Sequence, residues 1–249
     1  MIPVLRSLWI WTACSTIVLL WLPLLGVVRL FDRDPLRRRT ARWFRLAGRV
    51  VSRLNPAWRV HVSGAEHIVP GQVYVVVSNH QSLADIPLIS HLKLDTKWLA
   101  KSELFRVPVF GWMMRLAGDI PVDRANRRKA AQALLQCARY LRQGCSVVFF
   151  PEGTRSPSGN LLPFNEGPFQ LALRERIPIL PLVVEGTGTA LPRSSWLFGP
   201  TQDISLRVLE PIATESAAGF DSASLRDLVQ ELISCELDRI RPAHKSTHG

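Results

Sequence analysis

The sequence predicts an α/β fold: a mixed, mostly parallel sheet covered by helices, with an N-terminal membrane-associated helical segment. Three observations carry this. Short apolar runs alternate with stretches of helical period at the spacing of strand–helix units. Ser7 to Val28 contains no charged side chain. Apolar residues make up 47% of 249 residues, which excludes a disordered chain and is enough to bury a core.

The amino-terminal run includes Trp9, Trp11, Ile17, Leu19, Leu20, Trp21, Leu24 and Leu25. A helix of that length spans roughly 30 Å, the thickness of a bilayer core. Pro23 can kink it or split it into a hairpin that dips into one leaflet. The run is long for a signal peptide, and no small-x-small cleavage site precedes the basic region, so a retained anchor is expected. From Phe31 to Arg59 arginines greatly outnumber the two acidic residues, Asp32 and Asp34. Leu36, Trp43, Phe44, Ala47, Val50, Val51 and Leu54 recur at three- and four-residue steps, with Arg38, Arg42, Arg45, Arg49 and Arg53 opposite. That period describes an amphipathic basic helix. It suits an anionic membrane surface with the arginine stems snorkelling, or a helix packed on a soluble core with a solvated basic face. Arginine excess after the apolar run places the following domain on the cytoplasmic side of the membrane. The expected units are 1–56 for anchor and basic helix, 57–241 for the catalytic domain, and 242–249 for a polar, frayed tail.

Within the domain, Val60 and Val62 alternate with polar neighbours, and Val73 to Val77 reads as a buried strand. Ala84 to His91 reads as a short helix with Pro87 in its first turn. Asn126 to Arg142 reads as a long helix, with Asn126 as N-cap and Gly144 after its end. Val147 to Phe150 is a further buried strand, Glu166 to Arg174 a helix, and Ile179 to Val184 a strand after Pro178. Ile204 to Leu209 alternates, and Ser224 to Ile240 closes the domain as a helix with Leu225, Leu228, Leu232 and Ile233 on one face.

Net charge is +11, which favours anionic partners: nucleic acid, anionic lipid or phosphorylated substrates. The cysteines Cys14, Cys137, Cys145 and Cys235 lie far apart, so neither a disulfide framework nor a zinc site is expected.

The most informative segment is Val75 to Asp85. His80 follows a buried strand and Asp85 opens the next helix, so the turn can bring them together. Asp85 can then accept the Nδ1 proton and leave Nε2 free as a base. A capping Asp beside an unrelated loop His gives the same spacing. Phe149 to Ser156 also follows a buried strand and should emerge at the same sheet edge. There Gly153 permits close backbone approach, Arg155 can grip a phosphate, and Glu152 can orient Arg155 or a substrate hydroxyl. An ordinary turn also explains the Pro, Gly and Ser of this segment. Lys101 and Arg124 supply cations near where these loops should meet, although Lys101 also reads as a solvated surface charge and Arg124 as part of an Asp123–Arg124 turn.

Taken together these segments resemble the 1-acylglycerol-3-phosphate acyltransferases. Asn79, His80 and Asp85 match an N-H-x-x-x-x-D box. Lys101, Glu103, Leu104, Pro108, Gly111, Asp123 and Arg124 match a second block. Phe150 to Ser156 match F-P-E-G-T-R-S, and Ile177 to Val184 match a proline-flanked apolar strand. The four blocks are in order and cover about half the chain. Where the family pattern expects basic residues, this chain has Asn165 and Glu166.

The resemblance implies direct acyl transfer to the hydroxyl of a lysolipid phosphate acceptor, forming phosphatidate. His80 is the implied base, held by Asp85. Lys101, Arg124, Glu152, Gly153, Thr154 and Arg155 are the implied substrate-binding set. It implies acyl-CoA or acyl carrier protein as donor substrate, no separate cofactor and no metal. A different lysolipid or glycerol 3-phosphate remains an alternative acceptor. A hydrolase or thioesterase would need a nucleophile, and the chain has no G-x-S-x-G elbow. A non-catalytic membrane- or nucleic-acid-binding module would use the basic amino terminus. Nucleic acid is not expected as a partner, because Trp43 and Phe44 fall on the apolar face rather than among the cations.

Overall fold

The computed structural model describes residues 2–214 and 221–246. Seven strands form one sheet: β1 (Trp58–Ser63), β2 (Val75–Ser78), β3 (Thr96–Lys101), β4 (Ile120–Val122), β5 (Ser146–Phe149), β6 (Ile179–Glu185) and β7 (Gln202–Val208). Their spatial order is β1-β7-β6-β2-β5-β3-β4. β6, β2, β5, β3 and β4 are mutually parallel, and β7 joins antiparallel to β6 with β1 parallel to β7. The expected mixed, mostly parallel sheet is therefore present.

The strands on both sides of the active edge are apolar on both faces, as parallel strands between helical layers must be. Val75, Val77, Val147, Phe149 and Val183 face a layer containing α5 (Arg127–Arg142), α6 (Gly167–Glu175) and α8 (Ser222–Ser246). Tyr74, Val76, Val148, Leu180 and Leu182 face the opposite layer, which includes α3 (Asp85–Ile89) and the 187–198 segment, where α7 (Thr187–Ala190) lies. Asn126 caps α5 by accepting from the Lys129 N–H at 3.1 Å. The helix expected to end near Ile240 continues through Ser246, so the tail expected from residue 242 begins as helix; residues 247–249 lie outside the described part.

The amino-terminal segment is one helix, α1 (Ile2–Phe31), with Pro23 inside it and no hairpin. It is long and apolar enough to cross a membrane by length and composition. It also packs along the domain at both ends. Trp11 Nε1 donates to the Trp196 carbonyl at 2.7 Å, Trp21 Nε1 donates to the Trp43 carbonyl at 3.0 Å, and Ile10, Leu25 and Val28 are buried. Its other face exposes Leu5, Leu8, Trp9, Leu19, Leu20, Leu30 and Phe31.

The basic helix is α2 (Arg38–Leu54). Its apolar face is not free. Ala41, Phe44 and Ala47 share a core with Leu25 of α1 and with Met113, Met114 and Ala117 of α4 (Phe110–Ala117). Arg45 also departs from the expected solvated face. It is buried, ion-paired to Asp119, and its guanidinium lies 5.0 Å and 4.9 Å from the Phe44 and Trp98 ring centroids. A guanidinium between two rings keeps a charge partner and gains cation–π attraction, which a periodicity count cannot register.

Candidate active site

The site forms where β2 and β5 end side by side. Parallel pairing of Val77 with Phe149 makes both following loops leave at the same edge. Asn79 fixes the first. Its side-chain amide donates to the Val184 carbonyl at 2.9 Å and its Oδ1 accepts from the Val184 N–H at 2.8 Å. The side chain thus acts as one more rung of the ladder to β6.

The next residue is His80. Its Nδ1 lies 2.7 Å from Asp85 Oδ2, the same oxygen that accepts the N–H groups of Gln81 (2.8 Å) and Ser82 (3.0 Å). Asp85 is fully buried at the start of α3. A carboxylate so tied to its own turn cannot rotate away, so it orients the ring and stabilises a positive imidazole. A carboxylate acceptor at Nδ1 assigns the proton to that nitrogen and the lone pair to Nε2. No described residue hydrogen-bonds Nε2. The ring is stacked on Phe150, with centroids 4.0 Å apart and planes 22° from parallel.

Glu152 does something other than the expected orientation of Arg155 or substrate. Oε1 accepts the His80 backbone N–H at 2.7 Å and Oε2 accepts the Leu162 N–H at 3.0 Å. Both oxygens are used, so Glu152 braces the two loops. Burial pushes its carboxyl up to about 7, against the two N–H donors, with the charge of Asp85 adding to the rise. The Ser156 N–H completes the link by donating to the His80 carbonyl at 2.8 Å.

Gly153 occupies a left-handed conformation, φ 72°, and its N–H donates to the Phe150 carbonyl at 3.0 Å. That N–H is therefore not free for a phosphate, contrary to expectation. A side chain there would come within 3.2 Å of Asn165 Nδ2 and 3.9 Å of Arg124 Nη1. Arg124 accordingly reaches the turn from the end of β4. Asn165, where the family pattern expects a cation, donates its side-chain amide to the Pro151 carbonyl at 2.6 Å. Glu166 pairs with Arg226 at 3.2 Å. Both positions hold the framework here. Thr154 is exposed. Lys101, at the end of β3, is exposed and paired to Glu103 at 3.1 Å.

Two cavities meet this edge. One, of about 420 Å³, is almost wholly apolar and is lined by Trp11, Val51, Leu83, Pro87, Leu191 and Phe198, among others. It starts at the His80–Asp85 turn and runs between α1, α2 and α3. The other is an open polar cleft of about 1040 Å³, lined by Gln81, Arg155, Arg193, Gln202 and Arg241 among others. Sequence reading found Arg155 but missed Arg193, Arg241 and Gln81. Arg193 and Arg241 share no spacing with the motifs, and only the elements after β6 bring them to the edge, whereas Gln81 lies inside the first motif at one of its unspecified positions.

The model of the family described as Acyltransferase matches residues 59–185. The chain is 34% identical over 201 residues to a chloroplastic 1-acyl-sn-glycerol-3-phosphate acyltransferase of Brassica napus, covering 80% of this chain and 58% of that protein. It is 37% identical over 174 residues to 1-acyl-sn-glycerol-3-phosphate acyltransferase alpha of Mus musculus, covering 69% and 61%. The chain thus spans a little over half the length of these relatives. The crystal structure of a 1-acyl-sn-glycerophosphate acyltransferase from Thermotoga maritima superposes with a TM-score of 0.81 at 27% identity, covering 96% of both chains.

Proposed function

The chain belongs to the acyltransferase family, and from that premise we propose that it transfers a fatty acyl group from a thioester to the free hydroxyl of 1-acylglycerol 3-phosphate, forming phosphatidate. The observation that carries this is the His80–Asp85 pair, with Nε2 unpartnered, set between an apolar cavity and an arginine-lined cleft.

His80 Nε2 takes the proton of the acceptor hydroxyl as its oxygen attacks the thioester carbonyl. Asp85 stabilises the imidazolium that results. Collapse of the tetrahedral intermediate breaks the carbon–sulfur bond, and the leaving thiolate recovers the proton from Nε2. The acyl chain of the donor occupies the apolar cavity beside Leu83. Arg155 and Arg124, at the Gly153 turn, hold the acceptor phosphate, with Lys101 further out on β3. The donor is acyl-CoA or acyl carrier protein.

The exposed apolar stripe of α1 supports membrane attachment. Because α1 is fastened to the domain near both ends, it fits a helix lying along one leaflet with its outer face in lipid better than one standing clear of the domain. The arginines that follow favour the cytoplasmic face.

Turnover by the purified full-length chain tests the reading. Acyl-CoA and acyl carrier protein are each supplied with a panel of lysophosphatidate, other lysolipids and glycerol 3-phosphate. Preferred use of lysophosphatidate supports it, and preferred use of an acceptor without a phosphomonoester contradicts it. Retention of the full chain in carbonate-washed membranes tests the attachment.

A further inference from the structure

A second group of cations lies at the edge of the sheet opposite His80. Its cavity, of about 380 Å³, is lined by Gln72 shortly before β2, by Asp95 just before β3 and by Ser146, the first residue of β5. These parallel strands begin here and end at the catalytic edge. The length of β2 alone, at about 3.3 Å per residue, puts about 13 Å between the two edges. None of Arg155, Arg124 and Lys101 lines this cavity.

Arg42, Arg45 and Arg49 recur at steps of three and four along α2, so they share one face of it, and all three line the cavity. Lys93 joins them from the loop before β3. Two of these charges are taken. Arg42 holds Asp95, the one carboxylate among the lining residues, through bonds of 2.5 Å and 2.6 Å. Arg45 is paired to Asp119. Arg49 and Lys93 have no carboxylate partner among the described residues, and α2 carries no acidic residue of its own. The Arg49 Nε is buried and makes no hydrogen bond to a described residue. Its charge is felt nearby. The His91 imidazole, between the lining residues Ser90 and Leu92, is held below its ordinary value by burial and by the positive charges of Arg53 and Arg49. A guanidinium that disfavours a positive imidazole beside it is not neutralised where it stands.

The lining thus has two positive charges in excess, one on a planar fork of donors and one on a flexible ammonium. A phosphomonoester at pH 7 carries close to two negative charges and three strong acceptor oxygens, which match such a pair of donors. A halide or a single carboxylate would leave part of the charge unmatched. The volume falls at the small end of the roughly 300–1,000 Å³ usual for ligand sites, so there is room for an organic group beside the phosphate. Ile68, Val69, Leu92 and Leu94 give that group an apolar wall.

We propose that Arg49 and Lys93, flanked by Arg42 and Arg45, bind a phosphomonoester at this edge, in a site separate from the catalytic one. Its source is a small soluble phosphate ester or a lipid whose headgroup is a bare phosphate. The proposal goes beyond the acyl-transfer reading and does not depend on it.

The test is titration calorimetry of the full-length chain in detergent with inorganic phosphate, at constant ionic strength. An Arg155→Gln form serves as background, since it removes a contact assigned to the acceptor phosphate. Phosphate should still bind to it. Arg49→Gln or Lys93→Gln added to that background should each raise Kd by roughly tenfold or more, the effect of losing a charge-assisted hydrogen bond. Arg39→Gln, on an exposed arginine of α2 outside the cavity, should leave Kd unchanged. Lys93 is exposed, so its variant keeps the test decisive if Arg49→Gln does not fold. Competition then separates the sources. Displacement of phosphate by glycerol 3-phosphate identifies a soluble ester, and displacement only by mixed micelles containing phosphatidate identifies a lipid headgroup. Absence of phosphate binding, or its loss with Arg155→Gln alone, would overturn the site. So would an unchanged Kd in the Lys93→Gln form, or an equal loss with Arg39→Gln, which would reduce the effect to general surface charge.

Discussion

The turns that follow β2 and β5 and the helix pair that precedes β1 are held in opposite ways. In the turns, many bonds are local: the Asp85 side chain accepts from the Gln81 and Ser82 N–H groups, and the Gly153 backbone N–H donates to the Phe150 carbonyl. In the helix pair the decisive partners are distant. Arg45 meets Asp119, and Trp11 meets Trp196. The first region takes its local shape from its own short sequence, with Asn79 and Glu152 tying it to β6 and to the neighbouring loop. The second has its shape only because the rest of the domain is there. Loss of function without loss of fold should therefore come from the turns, and loss of fold from the helices.

Removing Met1 to Val28 should have the largest effect. It exposes the core that Ile10, Leu25 and Val28 help close. At about 1.5–3 kcal/mol per fully buried aliphatic side chain, the loss approaches the 5–15 kcal/mol that stabilises a typical domain. The truncated protein should show a collapsed or absent melting transition in detergent. A cooperative transition near that of the full chain would show that α1 is only an appendage.

Arg45→Ala comes next. It leaves Asp119 buried with the Trp98 N–H, at 3.0 Å, as its remaining donor. Breaking one partner of a buried pair costs about 3–5 kcal/mol. Denaturant unfolding should report that, whereas Arg42→Ala, on an exposed arginine paired to Asp95, should cost under about 1 kcal/mol. Equal losses would remove the distinction between the two arginines.

His80→Ala should reverse the pattern. The melting temperature should hold while turnover falls on the order of a hundredfold or more, about 2.7 kcal/mol of barrier. Asp85→Asn should lose less turnover, because the imidazole remains, but should cost some stability through its two backbone partners. A folded His80→Ala protein with near-normal turnover would contradict the assignment of the base.

The smallest effect concerns Glu152 and pH. Its carboxyl titrates near 7 in the fold against an ordinary value of 4.5. Between those values the folded state holds a proton that the unfolded state has lost. Stability from this group is thus complete below pH 4.5 and declines as pH rises through about 7. Glu152→Gln should lack this decline, so the stability difference between the two proteins should move in favour of Glu152→Gln as pH rises through about 7. A pH-independent difference would contradict the raised value.

The same contrast explains what could be read from sequence. His80 and Asp85 are five residues apart in one turn, so their contact is a local one that the motif match to a known family could single out. The apolar runs of β2, β5 and β6 mark strands covered on both faces. Asn79, by contrast, acts through Val184, more than a hundred residues away, and Glu152 through the backbone of the other loop. The period of α2 correctly defined a helix but assigned Arg45 to solvent, because period describes direction and not what lies there. Arg193 and Arg241 belong to no local pattern and become neighbours only through the antiparallel β7 and the position of α8.

The central claim is direct transfer with His80 as base and no covalent acyl-enzyme. It is tested most directly by rapid-quench intact-protein mass spectrometry of the full chain mixed with acyl-CoA in the absence of acceptor. The account predicts unmodified protein at every time point, with product appearing only when lysophosphatidate is added. A stoichiometric acyl adduct on the protein that forms first and discharges to the acceptor would contradict it.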